Sequence, residues 1–417
     1  MLKLHNIQKS LSPQTSCSTS ESDKHLDYLP EKLRAKLLPF QKEGIIFALR
    51  RDGRCMVADE VSMGLGKTIQ AIAIAYFYKE EWPLLIVVPS SLKYPWTEEI
   101  EKWIPELEPE EINVIQNKID VGRISTSKVT VLGYGLLTTG AETLISTVSN
   151  QNFKVVIVDE SHYMKSRTAT RSKILLPIVQ KARRAVLLTG TPALGRPEEL
   201  FMQIEALFPQ KFGTWTDYSK RYCNAHVRYF GKRAQWDCRG ASNLNELHQL
   251  LSDIMIRRLK TEVLTQLPPK IRQRIPFDLL PAAAKELNTS FEEWEKLMRA
   301  PNPGGTETVM GLITRIFKQT AIAKAGAVKD YIKMMLQNDS LKFLVFAHHL
   351  SMLQACTEAV IESKTRYVRI DGSVPSSERI HLVNQFQKDP DTRVAILSIQ
   401  AAGQVRNFRS KLERKCH

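Results

Sequence analysis

The sequence predicts an α/β protein of two parallel-sheet lobes with crossover helices, the second lobe truncated. Three observations lead there. Runs of four or five consecutive apolar residues, such as Val155–Val158 and Leu84–Val88, recur along the chain. Strands that are apolar at every position are buried on both faces, as helix-covered parallel strands are. Helix-length stretches separate the runs, and that alternation closes into a parallel sheet through crossover connections. The pattern occurs twice, in a long first block and a shorter one that begins near Ala325. A chain of 417 residues with 43% hydrophobic content has room for two to three domains with cores of their own.

Residues 1–29 read as a disordered leader, polar and crowded with Ser10, Ser12, Ser16, Ser18, Ser20 and Ser22. The first lobe is expected over 30–275. It opens with a helix over Pro39–Arg51, where Phe40, Gly44, Phe47 and Ala48 share one side. Cys55–Ala58 then reads as a strand, Lys67–Tyr78 as a helix and Leu84–Val88 as a buried strand stopped by Pro89. Further strands follow at Val129–Leu132, at Val155–Val158 ending in Asp159-Glu160, and at Ala185–Leu188 ending in Thr189-Gly190-Thr191-Pro192. Downstream, Trp215, Tyr218, Tyr222, Tyr229, Phe230 and Trp236 alternate with Lys220, Arg221, Arg228, Lys232 and Arg233. Such rings can stack nucleobases, but core packing is the expected use of most of them. Pro268-Pro269 breaks this region. A helical interlobe segment is expected over 276–324, a partial second lobe over 325–404 and a basic tail over 405–417. The strands of the second lobe are Phe343–Ala347, Tyr367–Ile370 and Val394–Leu397.

Charge narrows the partner. Lys and Arg number 59 against 44 Asp and Glu, a surplus of 15 positive charges. Such a balance favours a polyanion, nucleic acid or an anionic membrane surface. The apolar runs are too short to span a bilayer, and the N-terminus lacks the apolar core of a signal peptide. The six cysteines are scattered without a CxxC pair, which excludes a disulfide scaffold and a Cys-rich zinc site. Reduced thiols in a cytosolic or nuclear protein are the reading that remains.

Two segments carry chemistry. Met63-Gly64-Leu65-Gly66-Lys67-Thr68 follows a strand and opens a helix. There Gly64 and Gly66 let backbone N–H groups turn toward phosphate oxygens, and the helix N-terminus adds positive potential. Lys67 would reach the β- and γ-phosphates of a nucleotide, and Thr68 would hold Mg²⁺. The second segment is Asp159-Glu160-Ser161-His162, at the carboxyl end of the most apolar strand. In P-loop NTPases an acid there completes the Mg²⁺ site, which assigns Asp159 to the metal. Glu160 would orient the attacking water, and His162 would couple the nucleotide to the rest of the lobe. A P-loop kinase or small GTPase would need neither Thr189-Gly190-Thr191-Pro192 nor a second α/β block.

The motifs together resemble a known family. Leu38-Pro39-Phe40-Gln41, Gly64–Thr68, Ile86-Val87-Val88-Pro89, Asp159–His162 and Leu188–Pro192 stand in the order found in Swi/Snf-type superfamily 2 ATPases. Phe343–His349, Ile370-Asp371-Gly372-Ser373 and Ser398–Gln404 match motifs of that family's second lobe. The Asp-Glu-Ser-His variant and the short interlobe spacing look most like its annealing-helicase branch, over residues 30–404. The resemblance implies two RecA-like lobes, ATP and Mg²⁺ as cofactors, and forked or junction DNA as partner. It implies an ATP-dependent translocase that rewinds single-stranded DNA and remodels stalled replication forks in the DNA damage response, in the nucleus. Gln41 would read adenine. Thr189 and Thr191 would relay nucleotide state toward DNA, and Ser90, Ser91, Lys93 and Trp96 would lie near the DNA backbone. Arg257 and Arg258 fall in a segment, Ile256–Lys260, similar to the family's interlobe coupling segment. His348, His349, Asp371 and Ser373 match the second-lobe DNA face. A replication sliding clamp is the expected partner of full-length members, but its binding motifs, a zinc finger and a nuclease module have no counterpart here.

The sequence departs from the family twice. The family reads Ala-Asp-Glu-Met-Gly-Leu-Gly-Lys-Thr without interruption, whereas Val61-Ser62 here separates Ala58-Asp59-Glu60 from Met63. Two residues span up to about 7 Å, a large intrusion into a phosphate-wrapping loop, so weakened nucleotide binding is expected. After Ala401-Ala402-Gly403-Gln404 the family supplies further strands and arginines that reach the nucleotide, and residues 405–417 do not resemble them. An arginine finger is worth several orders of magnitude in turnover. Together these departures imply the alternative, a catalytically inactive truncated isoform that binds DNA and nucleotide without turnover.

Overall fold

The computed structural model describes residues 24–60, 66–138, 142–193, 195–230, 233–263, 271–279, 281–299 and 306–402. Expectations for Gly64, for Val61-Ser62, for the tail over 405–417 and for most of the leader lie outside them. The chain divides into two units, Met1–Leu267 and Pro268–His417.

In the first unit the strands are β1 (Arg54–Val57), β2 (Leu84–Val88), β3 (Ile112–Val114), β4 (Val129–Gly133), β5 (Val155–Asp159), β6 (Arg184–Leu188), β7 (His226–Phe230), β8 (Arg233–Asp237) and β9 (Met255–Ile256). Seven of them form one sheet in the order β3-β4-β2-β5-β6-β1-β9, each neighbour pair parallel. Its core explains the apolar runs. Successive side chains of a strand point to opposite faces. On β2, Leu85 and Val87 enter the hydrophobic cluster on one face, while Leu84, Ile86 and Val88 enter the cluster on the other. On β5, Val156 and Val158 take the first face, and Val155 and Ile157 the second. Each such side chain contributes about 1.5–3 kcal/mol of transfer free energy, so neither face tolerates a polar position.

Three helices carry residues of the sheet's carboxyl edge: α1 (Pro39–Leu49), α2 (Lys67–Phe77) and α3 (Lys93–Trp103). The first seven residues of α2 after Thr68 are Ile, Gln and Ala, all buried, and the small alanines let the helix lie close to β5 and β6. Leu26 and Leu29, expected in a disordered leader, are buried in the core on the α2 face of the sheet. Of the aromatic stretch, Trp215, Tyr218 and Tyr222 pack with Phe201 and Phe212, with Phe201 and Tyr218 centroids 5.1 Å apart. The edge strands β3 and β9 and the antiparallel β7–β8 hairpin were not expected from the sequence.

The second unit opens with helices Pro281–Arg299 and Thr306–Leu336, which pack together. The expected boundary at 324 falls inside the second of these. Strands β10 (Phe343–Ala347), β11 (Arg366–Ile370) and β12 (Thr392–Ser398) form a parallel sheet in the order β10-β12-β11. β12 repeats the two-faced pattern, with Val394 and Ile396 in one cluster and Ala395 and Leu397 in another. Among the described residues, no helix is long and apolar enough to cross a membrane.

Candidate functional site

Parallel strands deliver their carboxyl ends to one edge, where open α/β sheets place their ligands. At this edge the chain leaves β1 into Asp59, β5 into Glu160, β6 into Thr189 and β9 into Arg257. The register sets their relative height: Leu188 is level with both Val57 and Asp159. Two strand spacings therefore separate Asp159 from Val57, about 10 Å.

The first group of side chains surrounds Asp59. The β1–β9 ladder runs on past the strands, with Ala58 N donating to Ile256 O at 2.8 Å and Glu60 N to Arg258 O at 3.0 Å. This brings Arg258 beside Asp59, and its guanidinium takes both carboxylate oxygens, Nε to Oδ1 at 2.9 Å and Nη2 to Oδ2 at 2.7 Å. Gln70 of α2 closes a triangle, donating Nε2 to Asp59 Oδ2 at 3.1 Å and accepting from Arg258 Nη2 at 3.1 Å. Arg258 also donates to the Phe40 carbonyl on α1. Gly44 makes the approach of α1 feasible, since a Cβ there would lie 2.0 Å from Gln70 Oε1. Lys67 Nζ donates to the Asp59 carbonyl at 3.1 Å.

Gly66 closes the loop end. Its φ of +60° lies in the left-handed region, and a Cβ would sit 2.4 Å from Gln41 Nε2. The left-handed φ is what favours glycine here, while a Cβ would displace the Gln41 amide. Gln41 is thereby laid against the start of α2, with Oε1 accepting from Leu38 N at 2.9 Å. Thr68, half-buried, is the second residue of α2.

The second group surrounds Asp159, which is wholly buried. Trp96 of α3 donates its indole Nε1–H to Asp159 Oδ2 at 2.9 Å, and Glu160 N donates to Oδ1 at 2.9 Å. Trp96 was expected near the DNA backbone; its side chain instead points inward, because α3 turns its apolar side, Trp96, Ile100 and Trp103, into the core. Lys93, also expected at the DNA, donates to the Ile115 carbonyl at 3.0 Å, and burial lowers its pKa. Glu160 has φ of +50°, unusual for a residue with a side chain. The turn is fixed by Tyr134, whose hydroxyl donates to the Asp159 carbonyl at 2.8 Å. Burial, then the Asp159 charge, hold that phenol protonated by pushing its pKa well up. Strain of this kind concentrates where a side chain must be aimed.

His162 joins this group to β6. Its Nδ1 lies 3.2 Å from Glu160 Oε2 and 3.3 Å from Thr189 Oγ1. Burial, then the Lys165 charge, lower its pKa. Thr189 Oγ1 in turn accepts from Thr191 N at 3.2 Å. Arg257 reaches the Gly190 carbonyl with a long Nη1 contact of 3.5 Å, and burial lowers its pKa. Sequence reasoning missed Gln203. It is fully buried and bridges two loops, accepting from Ser161 Oγ at 2.7 Å and donating to the Pro192 carbonyl at 2.8 Å. The signal was a lone glutamine inside the apolar helix Phe201–Leu207.

These residues fit a nucleotide with its magnesium. The glycine at 66 is a cradle that a Cβ would fill. Among the described residues, the buried Arg257 Nε meets no hydrogen-bond acceptor. Asp159 sets a buried carboxylate at the carboxyl end of β5, and magnesium asks for only one or two carboxylates.

The model of the SNF2-related domain matches residues 40–324. The chain belongs to the SNF2-related family. It is 89% identical over 408 residues to the DNA annealing helicase and endonuclease ZRANB3 of Bos taurus, covering 98% of this chain and 38% of that protein. The Homo sapiens protein of that name is 86% identical, over the same shares. The SWI/SNF-related matrix-associated actin-dependent regulator of chromatin subfamily A-like protein 1 of Xenopus laevis is 40% identical, covering 95% of this chain and 40% of that one. The chain thus spans 38–40% of the length of these relatives.

The SNF2-related match ends before the second sheet. There Asp371 is buried and accepts from Ser373 Oγ at 2.6 Å, Ser373 N at 3.0 Å and Arg369 Nε at 2.9 Å. The Ser373 hydroxyl, then its N–H, lower the Asp371 pKa. His348 and His349 stand edge to face, 5.1 Å between centroids. Arg379 fastens the two loops of this sheet edge by donating to Val374 O and to Ala401 O, at 2.9 and 3.1 Å.

Proposed function

We propose that this chain is the motor core of a DNA-dependent ATPase that translocates on duplex DNA, rewinds single strands and remodels stalled forks in the nucleus. One observation carries the reading. Lys67, the Asp159–Glu160 pair, Thr189 and the Arg257–Arg258 pair converge on one sheet edge, in two linked networks that leave a glycine cradle at 66. The names of the relatives, DNA annealing helicase and endonuclease among them, support DNA as the partner.

Each residue then has a task. Gly66 and the N-terminus of α2 would receive phosphate oxygens, Lys67 would reach the outer phosphates, and Gln41, lying against Gly66, would read the base. Thr68 and Asp159 would hold magnesium, which with ATP would supply charge neutralisation and the transferable phosphoryl group. Glu160, aimed by its left-handed backbone, orients water. His162 senses the Glu160 carboxylate and passes its position to Thr189, whose loop meets Arg257. Contacts to DNA are mostly to phosphate, so binding is steeply salt-dependent and of low sequence specificity.

A second reading is binding without turnover. It is favoured by Val61-Ser62, which lies between Glu60, fixed on Arg258 O, and Lys67, fixed on Asp59 O. Phosphate release by the whole chain, with and without forked DNA and beside Lys67→Ala, separates the two. DNA-stimulated release that Lys67→Ala abolishes supports the motor. Fork binding without release supports the second reading, and neither binding nor release sinks both.

A further inference from the structure

We propose that one face of the β7–β8 hairpin is a stacking platform for unpaired nucleobases of a single DNA strand. The inference rests on the DNA reading above and adds a single-strand site to it. The register pairs Val227 with Trp236 and Tyr229 with Ala234, so these four side chains share one face. That face is open to solvent: Tyr229 is 73% exposed, Val227 45% and Trp236 40%. Tyr229 and Trp236 are diagonal neighbours, a spacing of about 7–8 Å that aromatic side chains span.

The hairpin projects without joining either parallel sheet. A two-stranded ribbon is marginal on its own, and this one is fastened at its base. Cys223 and Cys238 are buried in the core there, and Ala225 packs against it. Asp237 takes Arg239 at 2.8 Å and Arg228 at 3.6 Å, and Asn224 N donates to Ser242 Oγ at 3.2 Å. The ribbon thus leaves Tyr229 largely and Trp236 partly open to solvent, whereas Tyr218 and Tyr222 just upstream are buried.

Charge selects the occupant. Residues 220–239 contain six Lys or Arg and a single acid, Asp237, which Arg228 and Arg239 share, while Arg221 pairs with Glu246. Rings set in surplus positive charge match bases joined by phosphates. In a duplex the base faces are stacked and closed to such a platform, so the ligand is an unpaired strand. An acidic protein partner is the outcome to be excluded.

The test is fluorescence anisotropy of the whole chain with labelled oligothymidylate and with a blunt duplex of equal length. Tyr229→Ala/Trp236→Ala is expected to weaken oligothymidylate binding about tenfold or more and to leave duplex binding unchanged. Tyr229→Phe/Trp236→Phe keeps both rings and should retain native affinity, which separates stacking from loss of the ribbon. Because stacking neutralises no phosphate, the salt slope should be the same in all three proteins. Native affinity in the double alanine variant overturns the proposal, as does a chain that holds duplex but not oligothymidylate. A chain that holds neither takes the DNA reading down with it.

Discussion

Arg258 holds both carboxylate oxygens of Asp59, at 2.9 and 2.7 Å, where Asp59 is wholly buried and Arg258 nearly so. The geometry is the paired, two-bond kind that only a planar guanidinium supplies. It ties the segment after β9 to the chain just after β1, and through Gln70 and the Phe40 carbonyl to α2 and α1. Arg258→Ala would leave a buried carboxylate without its counter-charge, a loss of about 3–5 kcal/mol. Arg258→Lys should recover only part of this. The measurement is urea unfolding, with Asp59→Ala and the double variant closing a cycle. The double variant should lose clearly less than the sum of the singles; additive losses would mean that the two residues act separately.

Trp96 gives the second prediction. Its indole N–H donates to the Asp159 carboxylate, which also accepts from the Glu160 backbone N–H. Hydrogen bonds to a charged group contribute about 1.5–3 kcal/mol. Trp96→Phe keeps an aromatic ring in the core and removes the donor. The expected result is a higher magnesium concentration for half-maximal binding of a fluorescent nucleotide, with metal-free nucleotide binding unchanged. Equal loss with and without magnesium would make Trp96 a packing residue only.

How far such relationships could be read in the sequence depended on what each residue type must do. β2 begins and ends where its apolar run does, because burial on both faces leaves no room for another pattern. Asp159 and Thr189 could be placed at strand ends because the apolar runs of β5 and β6 stop at them. Their partners could not be read. Trp96 stands on a helix whose first residues were expected to face DNA, and only the turn of α3 sends its ring inward. Gln203 is hidden in an apolar heptapeptide. The edge strands Ile112–Val114 and Met255–Ile256 are too short to show periodicity. The β7–β8 ribbon alternates, but with arginines and rings on a segment open to solvent, so no buried face marked it as a sheet.

His162 supplies a pH dependence. Its pKa lies below the ordinary 6.5, through burial first and the Lys165 charge second, with Arg171 adding to that and Asp159 and Glu199 opposing it. The unfolded chain therefore binds this proton more readily than the folded one. The stability that goes with neutral His162 is present above pH of about 6.5 and is lost as the pH falls through the lowered value. Thermal melts between pH of about 5 and 8 should show Tm falling toward acid. The fall should be shallower in His162→Gln, which cannot be charged. His248, whose pKa burial also lowers, remains in both proteins and leaves a residual slope. Parallel curves would remove His162 from the account.

The last prediction concerns Val61-Ser62. The chain on either side is fixed to the same residue pair: Glu60 N on Arg258 O at 3.0 Å before it, Lys67 Nζ on the Asp59 carbonyl at 3.1 Å after it. The extra length falls between these points, in the segment proposed above to receive phosphate. Deleting both residues should tighten ATP binding at least about tenfold, ~1.4 kcal/mol. Thermal stability should change little, since closing a slightly shorter loop alters the entropy by only tenths of a kcal/mol. Nucleotide titration of the two proteins decides the matter. Equal affinities would show that the loop wraps phosphate with the insertion in place, and the reading of binding without turnover would lose the observation that favours it. Tighter binding together with unchanged phosphate release would instead move the obstacle to turnover away from this loop.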